Sequence, residues 1–160
     1  MPPVISVVGK SGSGKTTLIE KLIPELKKRG YRVGVVKHAL HGFSFDTKGK
    51  DSWRHKEAGA DAVMVATNGQ IAMVKDEPCE TIDCLEPYFN GVDLVITEGY
   101  KKENKPKIEV IRKVRSESSV CGENDHLIGV VTDADIDFNV PKFGFDDIHG
   151  LADLIEKNLM

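Results

Sequence analysis

The sequence predicts a three-layer α/β/α fold with a mainly parallel sheet and one added β-hairpin. Three observations predict it. Short runs rich in Val and Ile alternate with segments whose apolar residues recur at helical spacing. A glycine-rich loop joins the first of these runs directly to the first helical segment. Asn68-Gly69 separates two strand-like runs, which is the pattern of a tight hairpin.

The elements follow in order from the N-terminus. Residues 4–8 form a β-branched run that is typical of a buried parallel strand. A helix begins at Lys15, where Leu and Ile repeat on one face, and Gly30 is placed to end it. Pro24 lies within this helix and predicts a kink or an irregular turn there. A second strand covers residues 32–37.

Beyond the second strand, strand and helix patterns continue to alternate after a polar loop. The further predicted elements are a short helix over 51–58, strands over 61–66 and 70–75, a helix over 79–89, strands over 93–97, 107–112 and 127–132, and a last helix over 147–158. No linker or repeat interrupts them, so we predict a single domain over residues 1–160.

The composition excludes several classes of protein. Of the 160 residues, 40% are hydrophobic and 29% are charged, and the net charge is −3, so the chain has no overall attraction for nucleic acid or anionic lipid. No apolar run approaches the about 20 residues of a membrane-spanning helix. The N-terminus lacks a signal-peptide pattern, and the three Cys lack CxxC spacing and predict reduced thiols. We expect a cytoplasmic protein without nucleic-acid or membrane partners.

The loop between the first strand and the first helix matches the phosphate-binding pattern G-x-x-x-x-G-K-[ST] in full. Glycines let backbone N–H groups converge on phosphate oxygens, and the helix N-terminus adds a favourable dipole. We expect Lys15 to lie at the β- and γ-phosphates and Thr16 to bind Mg²⁺. The predicted nucleotide-binding residues of the loop are Gly9, Lys10, Ser11, Gly12, Ser13, Gly14, Lys15 and Thr16.

Three carboxylates are candidates for the chemistry at the phosphates. Glu98 ends the strand over 93–97, at the sheet edge where parallel strands carry ligands, so it is the predicted acidic partner of the metal. Asp93 begins the same strand and lies at the wrong edge. Asp46 and Asp51 follow the second strand, where a carboxylate can orient the attacking water or a metal-bound water.

One residue is a candidate for recognising the nucleotide base by hydrogen bonding. Many guanine-binding proteins with such a loop carry N-K-x-D after a core strand, and here Thr132-Asp133-Ala134-Asp135 follows the strand over 127–132. Asp135 holds the position whose carboxylate would accept from guanine N1 and N2. The alternative is an acidic turn, since Asp is common in turns.

Two long strings of residues resemble one family. GKSGSGKTTLIEKLIPELKKRGYRVGVVKHALHGFSFDTKGKDSWRHKEAGADA and DLVITEGYKKENKPKIEV are similar to the MobB family, the molybdopterin-guanine dinucleotide biosynthesis adaptor proteins. The resemblance covers roughly residues 4–112. It implies a P-loop NTPase domain that binds GTP with Mg²⁺ and is at most a weak GTPase. It also implies a homodimer that assists a MobA-type guanylyltransferase and meets molybdopterin or its guanine dinucleotide.

The resemblance also carries residues over by position. Thr17 would lie near the α-phosphate, and His38, Asp46, residues 49–52 and residues 98–101 match the family pattern. Two alternatives stay open: a P-loop kinase of a small metabolite, and a MinD/ParA-like dimerising ATPase switch. The second is motivated by Lys10, which resembles the extra loop lysine of those ATPases.

Overall fold

The computed structural model describes residues 1–39, 42–44, 46–79, 81–115, 118–122 and 125–159. The chain divides into two compact units, one formed by residues 1–38 and 81–160 and the other by residues 39–80. Each unit is described by itself below. The single domain over residues 1–160 stays a prediction.

Strands and helices alternate along the described chain much as the sequence predicts. In chain order the elements are β1 (Val4–Val8), α1 (Lys15–Lys28), β2 (Val33–Lys37), α2 (Asp51–Glu57), β3 (Ala62–Ala66), β4 (Ile71–Lys75), a 3₁₀ helix (Ile82–Phe89), β5 (Leu94–Glu98), β6 (Lys107–Ile111), β7 (Leu127–Thr132), β8 (Lys142–Phe143) and α3 (Ile148–Leu159).

The first unit is built on a six-stranded sheet in the order β2-β5-β1-β6-β7-β8. Each neighbouring pair in this sheet is parallel, so the carboxyl ends of its strands meet at one edge. The loop after β1 therefore lies between the segments that follow β5 and β6. The second unit contains the antiparallel hairpin of β3 and β4. The predicted class, a mainly parallel sheet with an added hairpin, is confirmed.

Two layers of apolar side chains cover the sheet of the first unit. On one face α1 and α3 bury their apolar stripes against the strands, with Leu22 and Ile155 fully buried. On the other face Ile82 of the 3₁₀ helix packs with Val4 and Val95. Burying such a side chain contributes about 1.5–3 kcal/mol to the free energy of unfolding, and the packing holds the N-terminus of α1 against the sheet.

One local prediction differs from the structure, and one short strand was not predicted. The helix predicted over 79–89 is a 3₁₀ helix that contains Pro87, which cannot donate the i→i−4 hydrogen bond of an α-helix. Pro24 lies inside α1, which continues as one helix from Lys15 to Lys28, and the kink predicted there stays a prediction. The two-residue strand β8 was not predicted, because so short a strand has no periodic pattern and forms by pairing with β7.

In the second unit, α2 is followed by the hairpin, whose turn is closed by Thr67. The Thr67 N–H donates to the Gln70 carbonyl at 2.8 Å. Met64 pairs with Met73, and Ala66 with Ile71; directly opposed residues lie on the same face of a hairpin. This face is exposed, with Ile71 at 71% and Met64 at 57% of their full accessibility.

The cysteines correct one expectation. Cys79 and Cys84 are disulfide-bonded and Cys121 is a free thiol, so the prediction of reduced thiols is wrong for the first two. Burial and the nearby Glu109 carboxylate raise the pKa of the Cys121 thiol to about 12. Within the described residues, no helix has the length and apolar character that crossing a membrane requires.

Candidate nucleotide-binding site

The loop after β1 has the backbone of a phosphate cradle. Gly9, Gly12 and Gly14 have φ angles of 143°, 73° and 98°, values that residues with a side chain rarely adopt. A Cβ atom at Gly9 would lie 2.3 Å from the Val110 carbonyl oxygen. Only glycine therefore allows the loop to turn this close to β6.

Lys15 lies along the inside of the loop. Its ammonium group donates to the carbonyl oxygens of Gly9 at 3.0 Å and Lys10 at 2.9 Å. Burial lowers the pKa of Lys15 below its ordinary value; Glu98 opposes this shift and Lys37 adds to it. A partly desolvated ammonium group gains from a nearby anion, so the position fits a phosphate.

The N-terminus of α1 lies at the end of this loop. No side chain of its first turn caps the helix there or offsets the positive end of its dipole. Gly14 caps the helix without a side-chain hydrogen bond, and its first turn contains no acidic residue. Thr17 is exposed in that turn, and Ser11 is exposed in the loop. The buried Ser13 Oγ has no hydrogen-bond partner among the described residues. These groups are donors that an anion can satisfy.

The residues predicted for the metal lie together on the β5 side of the loop. The Thr16 hydroxyl contacts both carboxylate oxygens of Glu98, at 3.1 and 3.0 Å, and the Lys37 ammonium lies 3.9 Å from Glu98 Oε1. The described residues contain no cluster of three or more His, Cys, Asp or Glu that could hold a metal ion alone. One hydroxyl and one carboxylate suit Mg²⁺, which keeps waters and takes further oxygens from phosphates.

The segment after β5 fixes the backbone around Glu98. The His38 N–H donates to the Glu98 carbonyl at 3.0 Å, and the Gly99 N–H donates to the Val7 carbonyl at 3.0 Å. Tyr100 has a φ of 56° and stacks on the His38 ring at a centroid distance of 4.5 Å. A left-handed backbone at a non-glycine residue costs about 1–3 kcal/mol and is held by its surroundings.

Two arginines on the β6 side of the loop were missed by the sequence reasoning. A Cβ at Gly12 would lie 3.1 Å from the Arg115 guanidinium, and one at Gly14 would lie 3.3 Å from Arg112 Nη2. The Arg112 guanidinium also lies over the Phe145 ring, 3.9 Å from its centroid. The sequence did offer a clue to Arg112, because this residue ends the strand predicted over 107–112 and so lies at the edge of the sheet where parallel strands bind ligands.

Two further predicted nucleotide-binding residues are Asp135 and Lys10. Asp135 is exposed after β7, whereas its neighbour Asp133 accepts the Lys113 N–H at 2.7 Å. The Lys10 ammonium donates to Ser118 Oγ at 2.7 Å within its own chain. The base-reading role of Asp135 stays a prediction.

The two remaining catalytic candidates belong to the second unit. The Asp46 carboxylate accepts the Thr47 N–H at 2.7 Å, and Asp51 is the first residue of α2. Lys50 precedes it as the N-cap of the helix and makes no side-chain capping hydrogen bond. The catalytic roles of both aspartates stay predictions.

Comparison with known proteins gives consistent matches. The family model MobB, described as molybdopterin guanine dinucleotide synthesis protein B, matches residues 4–133. A molybdopterin-guanine dinucleotide biosynthesis adapter protein of Haemophilus influenzae is 38% identical over 157 residues, covering 96% of this chain and 88% of that protein. The protein of the same name from Escherichia coli is 35% identical and covers 97% and 92%. The solved structure of Bacillus subtilis MobB matches with a TM-score of 0.78 at 28% identity, covering 99% and 98%.

Proposed function

The chain belongs to the MobB family of molybdopterin guanine dinucleotide synthesis proteins, as its residues suggested, and we propose that it is an adapter of that biosynthesis which binds GTP with Mg²⁺. The observation that carries the nucleotide part is the Thr16–Glu98 pair beside the Lys15 ammonium. A hydroxyl, a carboxylate and an ammonium group are the parts that a magnesium–triphosphate site needs.

Each group has a defined task in this proposal. Lys15 and the N–H groups at the start of α1 hold the β- and γ-phosphates, while Thr16 and Glu98 hold the magnesium side. When bound, Mg²⁺ neutralises charge on the phosphate oxygens. Asp46 or Asp51 orients the attacking water, and hydrolysis is weak. The protein is then at most a slow GTPase, and its main task is to present a nucleotide.

The partners follow from the same proposal. Two relatives of this chain, at 38% and 35% identity, are named as adapter proteins of molybdopterin-guanine dinucleotide biosynthesis. We therefore propose that this chain assists a MobA-type guanylyltransferase in the cytoplasm, with molybdopterin or its guanine dinucleotide as the further ligand. It acts as a homodimer, and the exposed apolar face of its hairpin, which contains Met64 and Ile71, supports this assembly.

Isothermal titration calorimetry with Mg²⁺ tests the nucleotide part, using GTP, ATP and GMP. We expect GTP to bind more tightly than ATP, and binding to be lost in Lys15→Ala because the ammonium group at the phosphates is removed. Lys28→Ala, an exposed lysine at the far end of the same helix, is the matched control and should bind as the wild type does.

Two results would redirect the assignment. If GTP does not bind with Mg²⁺, the nucleotide part of the proposal fails. If ATP binds more tightly than GTP, the kinase and the dimerising ATPase switch become the better hypotheses. ADP release that depends on an added metabolite would identify the kinase, and ATP-dependent dimerisation lost in Lys10→Ala would identify the switch.

A further inference from the structure

Arg112 has no task in the function proposed above, although it reaches the loop. It directly follows β6, which pairs with β1 on the side opposite β5. Its Nη2 atom would lie 3.3 Å from a Cβ at Gly14. The guanidinium therefore lies at the start of α1, across the loop from Glu98.

The contacts of Arg112 hold its guanidinium plane in one orientation. Its Cζ atom lies 3.9 Å from the centroid of the Phe145 ring, and Phe145 packs against the main core. Its Nη1 atom lies 3.9 Å from Asp133 Oδ2, while Asp133 Oδ1 accepts the Lys113 N–H and so fixes the backbone next to Arg112. With 36% of its side chain exposed, Arg112 keeps donors open to solvent and loses little entropy on binding.

We propose that Arg112 selects the nucleotide base by donating hydrogen bonds from its guanidinium to O6 and N7 of guanine. The inference rests on the GTP binding proposed above. The metal-binding pair lies on the β5 side of the loop, so the nucleoside end of the ligand is assigned to the β6 side, where Arg112 and Phe145 lie. Guanine presents two acceptors at O6 and N7, which match two donors of a guanidinium fork. Adenine presents an acceptor at N7 but a donor at its N6 amino group, and two donors facing each other cannot form a hydrogen bond.

This assignment and the Asp135 hypothesis read different atoms of the base. Asp135 would accept from N1 and N2, whereas Arg112 donates to O6 and N7. Inosine triphosphate lacks the N2 amino group but keeps O6 and N7. The 7-deaza analogue of GTP lacks the N7 acceptor but keeps N1 and N2. The two analogues therefore separate the two mechanisms in the wild-type protein.

Calorimetry on the wild-type chain of 160 residues with Mg²⁺ is the first experiment. We expect inosine triphosphate to bind within about twofold of GTP, since no assigned contact is lost. We expect 7-deaza-GTP to bind about tenfold more weakly, because one hydrogen bond to a charged donor is removed. Weak binding of inosine triphosphate with normal binding of 7-deaza-GTP would overturn the assignment to Arg112.

Variants then connect the effect to the side chain. In Arg112→Ala the preference for GTP over ATP should fall by about tenfold or more, as expected for loss of a bidentate contact. Arg112→Lys keeps the charge without the planar fork, so it should lose the preference as well while binding ATP as the wild type does. Arg32→Ala, which removes an ion-paired arginine at the amino end of β5, is the matched control and should keep the preference.

The remaining outcomes are also decisive. Equal weakening of GTP and ATP in Arg112→Ala, with recovery of both in Arg112→Lys, would make Arg112 a phosphate contact and overturn the inference. A guanine preference that survives in both variants would overturn it as well. If the wild type binds ATP as tightly as GTP, there is no guanine preference, and the inference is overturned while GTP binding itself stands. If GTP does not bind with Mg²⁺, the GTP-binding proposal fails and the inference fails with it. Circular dichroism of each variant confirms that the fold is intact.

Discussion

Asp93 and Glu98 lie at opposite ends of β5, and their surroundings give the two carboxylates different roles. Asp93 precedes the strand and accepts from Arg32 at the backbone N–H, Nε and Nη2, at 2.7, 3.0 and 2.8 Å. These hydrogen bonds hold the pKa of Asp93 at about 2, below its ordinary value of 3.8. Glu98 ends the strand beside the Thr16 hydroxyl, which leaves its charge available to a metal. Asp93 is thus a structural residue, whereas the metal-binding role of Glu98 stays a proposal.

The Arg32–Asp93 pair predicts a pH dependence of stability. Because the pKa of Asp93 is lower in the folded state, its contribution is present above pH 3.8 and is lost as the pH falls towards about 2. Arg32→Ala should be less stable than the wild type near neutral pH, and the difference should shrink across that acid range. Urea denaturation at a series of pH values measures this, with Asp93→Asn as the control that removes the same titration. A difference that is constant at all pH values contradicts the prediction.

At the scale of elements, α1 contributes both to the stability of the fold and to the candidate site. Its apolar face buries Leu18, Leu22 and Leu26 against the sheet, and its N-terminus presents Lys15 and Thr16 to the loop. The orientation of the phosphate-binding groups therefore depends on packing along the whole helix. The Schellman-type end of the helix at Gly30, which has a φ of 98°, stops it before β2 as the sequence predicts.

We expect Leu22→Ala to lower the free energy of unfolding by about 2–5 kcal/mol, because Leu22 is fully buried and its removal leaves a cavity. Glu20→Ala, an exposed position on the same helix, should change it by less than about 0.5 kcal/mol. Urea denaturation followed by circular dichroism gives both values. Equal effects of the two substitutions would show that α1 does not pack as described.

At the scale of the whole molecule, the hairpin presents the surface that we propose for self-association. A two-stranded hairpin is marginally stable by itself, and the β3–β4 face bearing Met64, Ala66, Ile71 and Met73 is exposed and apolar. A second copy of the chain presents the same face, so the two faces can bury each other in an isologous contact. We therefore propose this face as the contact of the proposed homodimer.

Ile71→Lys should therefore shift the protein towards the monomer, because a charge placed in the apolar face must be desolvated or repelled on association. Gln70→Lys adds the same charge at the exposed neighbouring turn position and is the matched control. Sedimentation velocity over a range of protein concentrations measures the change. Dimers of unchanged affinity in Ile71→Lys would place the interface elsewhere.

The sequence alone determined the local features of this protein. The glycine pattern, the period of α1 and the Asn68-Gly69 turn predicted the loop, the helix and the hairpin, because each depends on residues close together in the chain. The position of Glu98 was predicted for a related reason, because the carboxyl end of a parallel strand places its last residue at the ligand edge; its metal-binding role stays a prediction.

Only the tertiary structure decided which distant segments share the site. Arg112 and Phe145 meet at Gly14 because β6 pairs with β1 and the chain then returns past β7 and β8. The sequence holds no periodic signal for that strand order, since it arises from pairing between segments about a hundred residues apart. Asp133 rather than Asp135 contacts Arg112 for the same reason. Local motifs depend on residues close together in the chain, whereas the side chains of the candidate nucleotide site are brought together by strand pairing in the sheet.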